Sequence, residues 1–186
     1  MSIFSQFLNR SSPQQGIVLY YIVAIVIAFL LLNLPYVHKP GVEVNPIDTL
    51  FVAVSGISVT GLSPISIVDT YSTFGQLIIL VILNIGGIGV MAIGTMLWVV
   101  LGKHIGIRER QLIMLDNNKN TMSGTVKLII DIVKSIFVIA LVGALLLAFY
   151  FYRDNPDLKY AIMQGVFVSI SATTNGGLDI TGKSLI

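Results

Sequence analysis

Three long apolar segments constrain the fold of this chain more than any other feature of its sequence. They cover residues 16–34, 74–101 and 135–152, and few polar residues interrupt them. A helix of about 20 apolar residues is long enough to cross the hydrocarbon core of a bilayer. Only 11% of the 186 residues are charged, less than half of what a soluble domain carries. The sequence therefore predicts an all-α membrane protein.

Two shorter apolar segments, residues 46–57 and 158–172, do not suit a further crossing. The first follows Asn45-Pro46, a pair that favours the start of a helix, and the second follows Asn155-Pro156-Asp157. A helix over residues 46–57 would be only about 18 Å long. Apolar stretches of this size are more often buried or re-entrant than spanning. We predict two short helices that enter the membrane and turn back.

Both short helices lead into the same sequence element, so the chain contains an internal repeat. The segment FVAVSGISVTGL, residues 51–62, aligns with FVSISATTNGGL, residues 167–178, after a shift of 116 residues. The identical pairs include Phe51 and Phe167, Ser55 and Ser171, Gly61 and Gly177, and Leu62 and Leu178. A matched pair of such elements indicates a shared function for the two copies.

The repeated element is expected to act through its backbone. Non-helical backbone at membrane depth is tolerated only where it lines a cavity or is buried in protein. A Ser-Val-Thr-Gly segment after the first short helix would present successive carbonyl oxygens, and glycine allows conformations closed to other residues. Rings of such carbonyls replace the water shell of a potassium ion. The pattern therefore predicts a potassium selectivity filter.

The distribution of charge predicts the orientation of the chain. Residues 102–125 carry four basic residues against two acids, whereas residues 35–71 carry one lysine against three acids. By the positive-inside rule the first segment is cytoplasmic, and the N-terminus is then inside while both short helices lie outside. The predicted regions are a cytoplasmic N-terminus (1–15), a first membrane–pore–membrane unit (16–101), a cytoplasmic basic linker (102–125) and an incomplete second unit (126–186). The linker could dock a cytosolic regulator or lie on anionic lipid.

Several motifs together resemble one family of transporters. They are Thr60-Gly61-Leu62, Phe74-Gly75-Gln76, Asn84-Ile85-Gly86-Gly87-Ile88-Gly89, and Gly102-Lys103 with Ile107-Arg108-Glu109-Arg110. From about residue 31 onward the chain resembles the Trk/Ktr/HKT potassium transporter superfamily, most closely the bacterial Ktr ion-translocating membrane subunit. The resemblance implies a potassium-channel-like fold, in which four repeated units in one polypeptide surround a single pore. Since this chain holds one unit and part of a second, we expect it to be an N-terminal fragment.

The resemblance also implies a function and a set of site residues. Gly61 and Gly177 are expected to be the filter glycines of units one and two. The flanking backbone carbonyls would come from Ser58, Val59 and Thr60 in the first copy and from Thr174, Asn175 and Gly176 in the second. The implied activity is potassium uptake across the cytoplasmic membrane, with potassium as substrate, sodium as the coupling ion and no cofactor. The implied partners are a second copy in a homodimer, a cytosolic nucleotide-binding regulatory ring and the lipid bilayer.

Three other functional classes explain the sequence less completely. A homo-oligomeric potassium-channel-like pore, built from several copies of a short chain, remains the alternative. An enzyme has little support because intramembrane acids and histidine pairs are missing, so no catalytic residue is predicted. A purely structural bundle would leave two capped short helices with glycine-bearing ends unexplained. The net charge of +2 gives no reason to expect nucleic acid as a partner.

The remaining polar and glycine-rich motifs have simpler explanations. Residues 87–92 match a dinucleotide-binding fingerprint, but they lie inside an apolar segment, where close helix packing by small residues explains them better. Asn84 is expected to bond to a neighbouring helix, or to face the short helix or the pore. His38 and His104 lack a partner at metal-binding spacing, so we expect both to be solvated and predict no metal site other than that for potassium.

Overall fold

The structure of the chain, a computed structural model, describes residues 13–89 and 124–182 together with the single residues 93, 107, 111 and 114. This described part is helical and contains no strand, apart from one isolated antiparallel bridge between His38 and Tyr71. The helices are α1 (Pro13–Leu32), α2 (Pro46–Ser58), α3 (Ile67–Thr70), α4 (Thr73–Ile88), α5 (Thr125–Asp154) and α6 (Leu158–Thr173), with a 3-10 turn at Pro35–Val37. The predicted all-α membrane fold is confirmed.

Two of these helices are long and apolar enough to cross a membrane. The segments are Gln15–Leu32 in α1 and Lys127–Asp154 in α5, and they correspond to the first and third predicted spans. Large apolar side chains on α5 are exposed, as expected for a surface that faces lipid; Leu146 and Phe149 are both 68% exposed. The second predicted span begins as α4, and most of its residues beyond Gly89 lie outside the described part.

The short helices begin where capping chemistry predicts. The Asn45 side chain accepts the backbone N–H of Ile47 at 3.0 Å, and Pro46 occupies the first position of α2. In the second copy the cap is Asp157, whose carboxylate accepts backbone N–H groups two and three residues later, at 2.9 and 3.3 Å. Asn155 instead ends α5. Both caps satisfy backbone donors that a helix start leaves without partners.

One buried cluster joins the two copies of the repeat. α2 packs between α1 and α4, and Ile57 and Leu83 are among the fully buried residues of this core. Phe167, Leu178 and Ile180, which come from the second copy, belong to the same cluster. Within a membrane such packing is stabilised by van der Waals contact between the side chains rather than by removal of apolar surface from water. The second copy is therefore held against the first by apolar packing as well as by its chain connection.

The segment between α2 and α4 is tied down by backbone hydrogen bonds. Lys39 donates its N–H to the carbonyl of Thr70 at 2.9 Å, and Ser72 donates to that of Val37 at the same distance. Tyr71 lies fully buried between these two bonds. The segment that carries the first glycine element is thus held at both ends, by α2 on one side and by this bridge on the other.

Candidate ion-binding site

The first short helix ends at the residues predicted to form the filter. Ser58 is the last residue of α2, and its hydroxyl donates to the carbonyl of Val54 at 2.7 Å. Val59 takes the left-handed conformation, with φ 56°, and its N–H donates to the carbonyl of Ser55. The helix therefore ends at Ser58, and the non-helical backbone begins one residue later than predicted. The reason is local, since a serine hydroxyl is readily satisfied by the carbonyl one turn back.

The second short helix ends in a closely similar way. Thr174, which directly follows α6, keeps right-handed helical backbone angles, and its hydroxyl donates to the carbonyl of Ile170 at 2.7 Å. Asn175 takes the left-handed conformation with φ 58°, and Gly176 donates its N–H to the carbonyl of Ser171 at 2.6 Å. Each copy thus has a helix end, one left-handed residue and then a non-helical segment that carries the candidate glycine.

The two candidate glycines lie directly against each other. Both have positive φ, 73° at Gly61 and 64° at Gly177, a region that L side chains rarely adopt. A Cβ added to Gly61 would lie 2.9 Å from the Cα of Gly177, and one added to Gly177 would lie 3.0 Å from the Cα of Gly61. A separation below 3.0 Å essentially never occurs for real Cβ atoms, and one of 3.0 Å is tighter than nearly all of their contacts. The fold therefore brings the two glycines together and leaves no room for a side chain on either.

In each copy a serine of the short helix bonds to the non-helical segment that follows that helix. The Ser55 hydroxyl oxygen accepts the N–H of Leu62 and the hydroxyl of Thr60, both at 3.0 Å. The Ser171 hydroxyl donates to the carbonyl of Leu178 at 2.6 Å. Sequence reasoning did not assign these serines to the site. The signal was present nevertheless, because Ser55 and Ser171 coincide when the repeat is aligned.

Glycines of α4 bring that helix close to both copies. A Cβ on Gly86 would meet the carbonyl oxygens of Gly56 and Ile57 in α2, and a Cβ on Gly87 would meet Thr174. Gly86 and Gly87 thus allow close packing of α4 against both copies, as predicted at Gly87. The rest of the dinucleotide-like pattern lies mostly outside the described residues.

Two cavities open beside the glycine contact, and both are lined by Asp179. One, of about 290 Å³, lies beside Gly61, Gly177 and Ser63. The other, of about 230 Å³, lies beside Gly177 and Asn175. One Asp179 carboxylate oxygen accepts the N–H and the hydroxyl of a residue two positions later, at 2.7 and 2.8 Å. This carboxylate, which was not predicted, adds negative charge to a site rich in backbone oxygen atoms and so favours a cation.

The other polar residues considered from the sequence lie away from the glycine contact. Asn84 donates to the Leu80 carbonyl of its own helix at 2.9 Å, rather than to a neighbouring helix, and lines an apolar cavity of about 290 Å³ between α4, α5 and α6. His38 is only partly exposed, whereas it was predicted to be solvated. Its Nε2 atom is buried without a hydrogen-bond partner, and its ring lies 5.4 Å from that of Tyr71. His104 lies outside the described residues, as does nearly all of the basic linker.

Comparison with known proteins gives one consistent result. The TrkH family, described as a cation transport protein, matches residues 4–186 of this chain. The chain is 46% identical over 183 residues to the Ktr system potassium uptake protein D of Bacillus subtilis (strain 168), covering 98% of this chain and 41% of that protein. It is 33% identical over 180 residues to the potassium/sodium uptake protein NtpJ of Enterococcus hirae, covering 96% of this chain and 39% of that protein.

The Ktr system potassium uptake protein B of Bacillus subtilis (strain 168) is 32% identical over 184 residues, covering 95% of this chain and 39% of that protein. The chain thus spans about two fifths of the length of these relatives. The similarity covers both copies of the repeat.

Proposed function

Because the chain belongs to the TrkH family of cation transport proteins, we propose that it forms part of the pore of a Ktr/Trk-type potassium uptake system. The observation that carries the proposal is the direct contact between Gly61 and Gly177, each in the non-helical segment that follows a short capped helix. The names of the relatives, which refer to potassium uptake, support the choice of ion. A transport role without a catalytic step follows from this proposal.

In the proposed mechanism, backbone carbonyls at the two helix ends hold a partly dehydrated potassium ion. The residues that would contribute are Ser58, Val59, Thr60, Gly61, Thr174, Asn175, Gly176 and Gly177. Carbonyl dipoles replace the ion's water shell, and several weak sites in series allow the ion to leave as well as to enter. The positive φ at both glycines is what lets the backbone turn there without a side chain that would fill the path.

Electrostatics around the site favour entry of a cation. The C-terminal ends of α2 and α6 both lead into the glycine contact, and a helix C-terminus carries a partial negative charge. Asp179 adds a full negative charge beside the same contact. The arrangement raises the local concentration of cations, and the carbonyls then discriminate among them.

We further propose the wider context in which this pore works. The protein lies in the cytoplasmic membrane with its N-terminus inside, takes up potassium coupled to sodium, and acts as a homodimer on a cytosolic nucleotide-binding ring. The words "Ktr system" and "potassium/sodium uptake" in the relatives' names support a multicomponent system and the two ions. In this proposal residues 1–15 are a cytoplasmic N-terminus and residues 16–101 a first membrane–pore–membrane unit. Residues 102–125 are a cytoplasmic basic linker and residues 126–186 an incomplete second unit.

The test replaces Gly61 with aspartate in the protein expressed from its complete native gene, in cells that lack their own potassium uptake. Gly61→Asp is expected to abolish or degrade potassium-selective uptake while the protein still reaches the membrane. Gly41→Asp is the matched control, because Gly41 also has a positive φ, 79°, but has no atom near enough to meet a Cβ. Unimpaired potassium uptake by the Gly61→Asp protein would overturn the proposal.

A further inference from the structure

Ser55 and Ser171 occupy matched positions in the repeat, but one accepts a hydrogen bond from the segment that follows its helix and the other donates one. Both are nearly fully buried, at 2% and 4% exposure. Ser55 accepts the N–H of Leu62, seven residues later, whereas Ser171 donates to the carbonyl of Leu178, also seven residues later. A hydroxyl can do either, because it carries one donor and two acceptor sites. The two copies therefore fix different groups of the same backbone segment.

One sequence difference between the copies accompanies this opposite arrangement. Thr60 in the first copy aligns with Gly176 in the second. The Thr60 hydroxyl donates to the Ser55 oxygen, which is thereby used as an acceptor. Gly176 offers no hydroxyl, and a Cβ there would lie 2.7 Å from the Leu83 side chain. The Ser171 hydroxyl is then left to donate to the nearby Leu178 carbonyl.

The bond to Ser55 has a direct consequence for the candidate ion ligand. The N–H of Leu62 and the carbonyl of Gly61 belong to one peptide unit, and the described part of the chain contains no cis peptide bond. In a trans peptide these two groups point in opposite directions. Holding the Leu62 N–H against α2 therefore turns the Gly61 carbonyl away from α2. That carbonyl lies beside the other copy, since a Cβ on Gly177 would lie 3.6 Å from its oxygen.

We propose that Ser55 is a specificity-determining positioning residue, which aims the Gly61 carbonyl into the ion path by holding the N–H of the same peptide. Ser171 has a different role, because the carbonyl that it binds belongs to the peptide after the one that carries the Gly177 carbonyl. It withdraws the Leu178 carbonyl from the ion and leaves the Gly177 peptide to other contacts. The inference rests on the proposed function, since it concerns discrimination between potassium and sodium.

The test measures the ratio of potassium-tracer to sodium uptake in cells that express the complete native gene. Rubidium serves as the tracer, and a ratio does not depend on the amount of protein. Ser55→Ala is expected to lower the ratio about two- to tenfold, the range that corresponds to the loss of one net hydrogen bond. Ser55→Thr keeps the hydroxyl and should restore much of the ratio.

Two further variants separate positioning from a general packing effect. Thr49→Val removes a buried hydroxyl of the same helix that interacts with Tyr71 and not with the glycine segment, so the ratio should not change. Ser171→Ala removes the matched serine and should lower the ratio less than Ser55→Ala does. Equal losses at the two serines, or an unchanged ratio in Ser55→Ala, would overturn the inference.

The outcomes also distinguish this inference from the proposed function. Absence of potassium uptake by the unmodified protein would refute the proposed function itself. Selective uptake that is lost in Gly61→Asp but keeps its ratio in Ser55→Ala would refute only the role of Ser55. If Ser55→Ala does not reach the membrane, Ser55→Cys gives the same readout, because a thiol is a much weaker acceptor of similar shape. An unchanged ratio there would equally overturn the inference.

Discussion

Gly87 of α4 lies directly against Thr174 at the end of α6. A Cβ added to Gly87 would fall 2.9 Å from the Cα of Thr174, so the contact reaches the backbone and not only a movable side chain. The contact joins a helix of the first unit to the candidate ion-binding segment of the second. The position of that segment therefore depends on a glycine distant from it in sequence.

Gly87→Ala is expected to destabilise the protein and to lower its transport. Helix propensity alone would favour alanine by roughly 0.5–1 kcal/mol, whereas overpacking costs about 1–3 kcal/mol. Thermal unfolding in detergent, with transport measured in parallel, decides which effect is larger. Val81→Ala on the same helix is the control, because Val81 is 58% exposed. A more stable Gly87→Ala protein with normal transport would contradict the prediction.

Asn45→Ala should weaken the start of α2. The Asn45 side chain accepts the backbone N–H of Ile47, and loss of such a cap typically costs about 1 kcal/mol. The measurement is the free energy of unfolding in detergent. Asn45→Asp retains an acceptor at the same place and should remain close to the unmodified protein. Equal losses in both variants would show that the cap is not the cause.

Tyr71 should make the protein less stable at high pH. Burial raises the pKa of Tyr71 from 10.0 to about 12; the Thr49 hydroxyl lowers it by a smaller amount, and the negative charge of Asp48 raises it slightly. The neutral phenol is thus favoured in the folded state, so its contribution is complete below pH 10 and is lost as the pH rises through 12. At pH 11 the loss corresponds to roughly 1.4 kcal/mol.

Tyr71→Phe isolates this effect. The Tyr71 hydroxyl is buried without a hydrogen bond of good geometry, so its removal should change stability little at pH 7. The measurement is the unfolding free energy of both proteins at pH 7 and pH 11. The unmodified protein is expected to lose more stability between the two pH values than Tyr71→Phe does. Identical losses would rule out Tyr71 as the titrating group.

The proposed orientation can be tested by chemical labelling, because this chain contains no cysteine. Single cysteines are introduced at Gly41 and at Lys127, both of which are exposed, with any cysteine elsewhere in the native protein replaced. A membrane-impermeant maleimide should label Gly41→Cys in intact cells and Lys127→Cys only after permeabilisation. The opposite pattern would reverse the topology, and labelling of both from outside would contradict it.

Features set by short stretches of sequence were predicted well. The start of α2 follows from Asn45 and Pro46, whose capping and backbone preferences act over a few residues. The one-turn helix α3 was not predicted, because its cap, Ser66, stands between two apolar residues that continue the surrounding pattern. Ser58 was expected in the extended segment but remains helical, since competition between two local hydrogen bonds decides its conformation.

Features that depend on tertiary contacts were predicted only in outline. The repeat indicated that Gly61 and Gly177 share a role, but their contact requires the packing of Phe167 and Leu178 into the first unit's core. The direction of the bonds at Ser55 and Ser171 could not be inferred from the alignment. It depends on where the hydroxyls point, and the same residue type acts as acceptor in one copy and as donor in the other.

The difference between Thr60 and Gly176 makes the two copies of the repeat structurally unequal. The first copy has a hydroxyl at this position and the second has none. The contacts of each segment therefore suit only its own helix and its own neighbours. The two copies still share a backbone path but are no longer interchangeable parts. The helices of the two copies still correspond, whereas the hydrogen bonds at Ser55 and Ser171 are specific to each copy.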